Sequence, residues 1–289
     1  MGRVTFDLDD LRSFVVGIEL GSFAKAAERL GRSTSAVSAH LKKLEQQLGT
    51  PILRKAGRGM VMTEAGETLL GYARRLLELN DEAAVAVRGR DLQGRVRLGL
   101  QEDFGETFLP QVLGSFARAH PRVQIEARIA RNAELIDGVV KGQLDLSLAW
   151  DSGISTAYQQ VLGQRMMQWI ASSGFDLAQW QASGEALPLV VFDAPCLMRS
   201  AAITALDRAG IPWRIAFTSR SLGGIWAAVS AGLGVTVRTD AGLPVGLSCL
   251  SPGTLPALKP IGVILHRAEE RPQEAVQQLA AIVTERLTL

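Results

Sequence analysis

The chain has 289 residues, 31 Lys or Arg against 29 Asp or Glu, a formal net charge of +2 and a hydrophobic fraction of 47%. This length and apolar content exclude wholesale disorder and leave room for two or three domains with sizeable cores. The charge is uneven: residues 1–63 hold ten basic side chains against six acidic ones, a net of +4, and the remainder is −2. A basic head on a near-neutral body points to a polyanion partner for the head and another task for the body.

Two cysteines, Cys196 and Cys249, lie far apart and match no metal or redox spacing, so no cofactor is expected and a reduced, cytoplasmic setting fits. The opening residues MGRVTFDLDDL are acidic where a signal peptide needs a basic start, and no stretch approaches 18 apolar residues.

In chain order, Leu8, Leu11, Phe14, Val15 and Ile18 form one apolar stripe, with Asp9 and Asp10 near the positive end of that helix. Phe23, Ala26, Ala27 and Leu30 recur at helical spacing, and Gly31 stands where a left-handed C-cap residue is preferred. Ser33 then suits an N-cap. Val37, Leu41, Leu44 and Leu48 make a second buried stripe, leaving Ser35, Ala39, Lys42 and Gln46 on the opposite face with Ser38 and Lys43 beside them. Hydroxyls at a helix start followed by lysines suit base edges and phosphates respectively. A plain helical hairpin with a solvated outer face gives the same spacing.

Gly49 and Thr50-Pro51 stop this helix. The segment 51–70 predicts a short two-stranded wing with Gly57 and Gly59 at its tip and Arg54, Lys55 and Arg58 around it. Arginines there can enter a minor groove or hold phosphates, as can those of an ordinary basic hairpin. From Thr63 a long helix follows. Leu69, Ala73, Leu76, Asn80, Ala83 and Val87 alternate spacings of four and three, which predicts a dimerisation seam or a helix lying on the protein's own body.

From Arg95 the pattern changes to alternating strands and helices. Val96, Leu98 and Leu100 alternate, a helix runs from about Thr107 to His120, and Val123, Ile125, Ala127 and Ile129 alternate again. Then ELIDGVVKG is helical and LDLSLAW a buried strand. A second such run from about Val161 carries strands at 189–192, 213–219 and 235–238, and IGVILH with a last helix closes the chain. Repeated βαβ units predict a mostly parallel sheet in each of two lobes. If the last strand returns to the first lobe, two crossings join them.

At this point the residues match a known pattern. Phe14, GSFAKAAERL, STSAVSAHLKKLEQQLGTPIL and MTEAG, followed by KGQLDLSLA and by GLGV after SLGGIWAAVSA, stand in the order and spacing of the LysR-type transcriptional regulators, which the whole chain resembles. The resemblance implies an α/β chain with a helix-rich head: a winged helix-turn-helix DNA-binding domain (1–63), a linker and dimerisation helix (64–93), and a two-lobed, periplasmic-binding-protein-like effector-binding domain (94–289). Lobe I would hold about 94–162 and 265–289, and lobe II about 163–264.

It further implies a cytoplasmic homodimer or homotetramer that binds an interrupted palindrome in promoter DNA, recruits RNA polymerase and answers to a small-molecule effector. Ser33, Thr34, Ser35, Ser38, His40 and Lys42 would face DNA from the helix, with Arg54, Arg58 and Thr63 on backbone or minor groove. The effector would lie among Gln101, Glu102, Asp103, Phe104, Arg131, Asn132, Trp150, Phe217, Thr218, Ser219, Ser221 and Leu222, beyond the carboxyl ends of the strands.

Departures from the family pattern are Ala39, where a longer polar side chain is common, Leu53 in place of Phe, and Glu102-Asp103, where the family commonly places a small hydroxyl residue. Two acids at the rim would repel an acidic ligand unless Arg131 or Arg199 offsets them, which points to a neutral or amine-bearing effector.

Catalysis is disfavoured by composition. The chain has three histidines, His40, His120 and His266, and carries no P-loop, HExxH or G-x-S-x-G, while adjacent Glu102 and Asp103 are poorly placed to converge on one atom. A solute-binding protein would leave the basic head without a role. A regulator governed only by its oligomeric state remains an alternative.

Overall fold

The computed structural model describes residues 4–56, 59–88, 92–107 and 109–287. The chain divides into two compact units, Met1–Arg90 and Asp91–Leu289.

The first unit opens with helix α1 (Leu8–Glu19), whose N-cap Asp7 accepts from the Asp9 amide. Helix α2 (Phe23–Arg29) is capped by Ser22, and α3 (Thr34–Leu48) by Ser33; Gly49, at φ 70°, ends α3 in the left-handed region. Strands β1 (Leu53–Ala56) and β2 (Gly59–Met62) pair antiparallel as the wing, and α4 (Glu64–Arg88) follows.

Leu11, Phe14 and Val15 of α1 pack with Leu44 of α3, Ile52, Leu53, and Leu69, Leu70, Ala73 and Leu77 of α4 in one core. This corrects the expected seam on the long helix. Leu69 and Ala73 are buried inside the head, and only Leu76, Asn80, Ala83 and Val87 of that series are exposed, joined by Tyr72 and Leu79. The spacing of four and three is the same for an internal stripe as for a seam, so periodicity alone could not divide the helix.

The second unit begins with β3 (Gln93–Leu100), then the short α5 (Glu102–Thr107), α6 (Leu109–Ala119), β4 (Arg122–Ile129), α7 (Asn132–Val140) and β5 (Leu146–Trp150). Strand β6 (Tyr158–Met166) is followed after Met167 by β7 (Gln168–Ser172), α8 (Leu177–Ser183), β8 (Leu187–Phe192) and α9 (Leu197–Arg208). Then come β9 (Trp213–Ser219), α10 (Leu222–Ser230), β10 (Thr236–Arg238), β11 (Leu247–Cys249), β12 (Pro260–Arg267) and α11 (Glu274–Leu287).

One lobe is built on a five-stranded sheet ordered β4-β3-β5-β12-β6. Strands β4, β3 and β5 are parallel, but β12 runs antiparallel to both β5 and β6, so the sheet is mixed rather than mostly parallel. In the other lobe β8 pairs parallel with β9, while β10 and β11 flank β7 antiparallel; a parallel bridge from Leu189 to Val235 links the two groups. The chain enters this lobe at Met167 and leaves it between β11 and β12, which places two crossings between the lobes. Strands β5 and β8 are buried along their whole length, as helix-covered central strands must be.

Candidate functional site

Two surfaces concentrate the residues singled out by the sequence. On α3, packing divides the polar side chains into two sets. One flank is fastened to α1 and the segment before it: Lys43 Nζ lies 2.8 Å from Asp10 and 3.3 Å from Asp7, His40 Nδ1 lies 2.7 Å from Ser13 Oγ, and Gln47 donates to Thr5 O at 3.0 Å.

Asp10 is nearly fully buried, so its carboxylate needs the Lys43 ammonium. Hydrogen bonding to Asp10 and then Asp7 raises the Lys43 ammonium above its ordinary range. The Asp9 amide, followed by Lys43, holds the Asp7 carboxyl below its own.

The other face of α3 is exposed and presents Thr34, Ser35, Ser38, Ala39, Lys42 and Gln46. Ser33 Oγ accepts from the Ala36 amide at 3.1 Å and lies 2.9 Å from Ser35 Oγ, while Ser38 donates to Thr34 O at 2.9 Å. His40, which the family resemblance put on or beside the DNA-facing side of the helix, is half-buried against α1. On the wing Arg54 and Lys55 are exposed opposite Val61 and Met60. Arg58 lies outside the described residues. Thr63 Oγ1 donates to Pro51 O at 2.8 Å and accepts from the Gly66 amide at 3.1 Å, so its hydroxyl caps α4 and closes the base of the wing.

The second surface is a cavity of about 580 Å³ between the lobes of the second unit, within the size range of small-molecule sites. Of the expected residues, Gln101, Glu102, Arg131, Asn132 and Trp150 line it. Asn132 bonds both Gln101 and the Trp150 backbone, fixing the ends of β3, β5 and α7 together.

Asp103 and Phe104 are buried in the wall instead of lining the cavity. The Phe104 ring packs tilted against Trp150 with centroids 4.5 Å apart, and Asp103 accepts from Trp150 Nε1 at 3.2 Å and from Arg238 Nε at 3.0 Å. Phe217, Thr218, Ser219, Ser221 and Leu222 also stand off the cavity, with Leu222 buried and Ser221 capping α10 by accepting from the Gly224 amide.

Residues absent from the expected set complete the wall: Ile129, Ile154, Phe192, Asp193, Arg220 and Arg238. Arg131 pairs with Asp193, and the guanidinium carbons of Arg131 and Arg238 lie 4.5 and 4.7 Å from the Phe192 ring centroid. Asp103 is thus offset by Arg238 rather than by Arg131 or Arg199, while Glu102 accepts from the Leu222 backbone N–H; Arg199 donates to Phe192 O at 3.1 Å. Sequence could not foresee Arg238, which is 135 residues from its partner. Among the described residues no group of three or more His, Cys, Asp or Glu could hold a metal ion.

Two family models match the chain: the bacterial regulatory helix-turn-helix protein, lysR family, over residues 8–67, and the LysR substrate binding domain over residues 89–288. The chain belongs to the LysR family of transcriptional regulators.

Similar proteins agree. The LysR-type chain is 34% identical over 283 residues to the HTH-type transcriptional regulator DgdR of Burkholderia cepacia, covering 97% of this chain and 94% of that one. It is 37% identical over 236 residues to the HTH-type transcriptional regulator PecT of Dickeya dadantii, covering 82% and 73%.

Solved structures share the fold of this regulator. HinK of Pseudomonas aeruginosa, a LysR family regulator, superposes with TM-score 0.56 at 19% identity, covering 98% of this chain and 99% of that one. DarR of Vibrio fischeri, solved in complex with DNA, gives TM-score 0.56 at 16% identity, covering 97% and 99%. Residues 8–67 are therefore the helix-turn-helix part of a LysR-type head, and the second unit is its substrate-binding domain. Among the described residues no helix is long and apolar enough to cross a membrane.

Proposed function

We propose that this regulator reads an interrupted palindrome as a homodimer or homotetramer and that a small effector in the interlobe cavity changes how it bends promoter DNA and recruits RNA polymerase. The observation that carries the reading is the division of α3: one flank is stapled to α1, and the opposite face leaves Ser35, Ser38 and Lys42 open. Thr34, Ser35 and Ser38 meet base edges, Ser33 holds the helix start, and Lys42 and Arg54 meet phosphates. Arg58 and Thr63 meet the backbone or minor groove, the Thr63 hydroxyl being also engaged at the base of the wing.

The exposed Leu76, Leu79 and Val87 supply a dimer stripe, with Asn80 setting register. The effector is neutral or amine-bearing, because the acids and arginines of the cleft already match one another. Gln101, Asn132 and Trp150 orient it and Phe192 supplies apolar contact, while Asp103, Phe104, Phe217 to Ser219, Ser221 and Leu222 shape the wall behind. The protein acts in the cytoplasm by binding and not by catalysis.

A footprint of the purified full chain on its own upstream DNA, with and without a metabolite panel, tests this. Two protected half-sites whose spacing or bend changes with one metabolite are expected. An unprotected or non-specific footprint overturns the DNA reading. A footprint insensitive to every metabolite overturns the effector reading.

A further inference from the structure

Glu102 stands at the head of α5, just beyond the carboxyl end of β3, and its carboxylate crosses the cleft to accept from the backbone N–H of Leu222 in the first turn of α10. That turn is otherwise capped by Ser221, which accepts from the Gly224 amide at 3.2 Å. The carboxylate thus sits where the unsatisfied amides and positive end of a helix attract an anion. It is the chain's own side chain.

The cations nearby are matched in the same way. Arg238 is held by the buried Asp103, Arg131 by Asp193, and Arg220 Nε lies 3.4 Å from the same Asp193. Around the cavity itself Arg131, Arg220 and Arg238 are balanced by Glu102, Glu134 and Asp193. A ligand carboxylate entering here finds its amide anchor taken and must lie beside Glu102, where like charges repel. An uncharged or cationic group meets no such opposition.

We infer that Glu102 is the specificity-determining residue of the cleft: as a tethered carboxylate on α10 it refuses an acid group from outside and restricts the cavity to net-neutral or cationic ligands. This rests on the reading of the cavity as an effector site. Shortening Glu102 to a residue that cannot reach Leu222 opens the anchor, and the cleft then accepts the carboxylates that it excluded.

Thermal melting of the full-length wild type, Glu102→Ser and Glu102→Gln in sodium acetate and sodium benzoate tests this, with acetamide, benzamide and sodium chloride at matched ionic strength as controls. Glu102→Ser is expected to gain a saturable rise of about 2–4 °C from the carboxylates over their amides. Wild type gains none. Glu102→Gln also gains none, because its amide oxygen still accepts from Leu222.

Carboxylate-specific stabilisation of the wild type overturns the inference. So does a Glu102→Ser protein that melts cooperatively and ignores the carboxylates. Should Glu102→Ser lack a cooperative transition, Glu102→Ala provides the same opening and the wild-type arm remains decisive. A carboxylate gain in the variant beside a footprint indifferent to all metabolites would leave the role of Glu102 standing and remove the effector reading alone.

Discussion

Asp103 and Arg238 form a paired carboxylate and guanidinium at 1% and 5% side-chain exposure, joining α5 of one lobe to β10 of the other. Trp150 Nε1 also donates to this carboxylate at 3.2 Å. A buried pair contributes little net stability when whole, yet removing one member leaves an uncompensated charge. Arg238→Ala is therefore expected to lower the stability of the second unit by about 3–5 kcal/mol, measured by urea unfolding, while replacing both members with apolar residues of similar volume costs much less. A single variant that unfolds like wild type would show that the pair is solvated.

The two adjacent lysines of α3 should separate in DNA binding. Lys42 is exposed with no carboxylate contact among the described residues, whereas Lys43 is engaged by Asp7 and Asp10. Lys42→Ala is expected to weaken binding to all sequences and to flatten the plot of log affinity against log salt by about 0.9. Lys43→Ala should change that slope less. Equal slopes would erase the division of the helix into a stapled flank and an open face.

Replacing Ser35 or Ser38 should alter sequence preference instead. Both are exposed at the N-terminal end of α3, which the proposed reading sets against base edges. Binding selections on a randomised half-site are expected to shift at one or two positions, with the salt slope unchanged. Loss of affinity spread evenly over all sequences would move these hydroxyls to the phosphates.

His266 is buried on β12 with Nδ1 2.9 Å from Thr156 Oγ1, and burial pushes its pKa below the ordinary value of 6.5, against an opposing pull from Asp151. The unfolded chain therefore takes up this proton more readily than the folded one. The neutral ring's contribution is intact above pH 6.5 and is lost as pH falls from there through the folded pKa. Wild type should lose stability between pH 7 and 5 more steeply than His266→Gln, by up to about 1.4 kcal/mol per pH unit. Parallel pH profiles would show that the folded ring takes up its proton as readily as the unfolded one.

Two glycines of α4 should respond to alanine with opposite signs. A Cβ on Gly66 would stand 2.1 Å from the Ile52 carbonyl oxygen, a backbone atom that cannot swing away. Gly66→Ala is expected to destabilise the head by roughly 2 kcal/mol or more. Gly71 is exposed with nothing within 4 Å of such a Cβ, and Gly71→Ala should stabilise by about 0.5–1 kcal/mol. Chemical denaturation followed on the head's transition distinguishes them.

What could be read from the sequence followed from local physics. The caps Ser22 and Ser33, the stop at Gly49, the stripe Val37-Leu41-Leu44-Leu48 and the strands around Leu98 and Leu148 all depend on residues within one or two turns of each other. What could not be read depends on partners far along the chain. Leu69 and Leu76 look alike on a helical wheel, and only the packing of α1 on α4 buries the first and exposes the second.

The direction of β12 was equally hidden, since an apolar run of buried strand reads the same both ways. In the cleft, the ends of β3 and α7 were legible because ligands gather at strand ends. Phe192, Asp193 and Arg238 were not, because their significance arises only when the second lobe brings them opposite Asp103 and Arg131.

Thr63 bonds the Pro51 carbonyl with its hydroxyl while capping α4, and Gly66 brings that helix against Ile52 with no room for a methyl group. The joint between wing and helix therefore has no slack. The 25-residue α4 starts from a base fixed to the strand that carries Arg54 and Lys55. A side chain added at Gly66 would therefore change the angle at which the wing leaves α4 as well as the stability of the head.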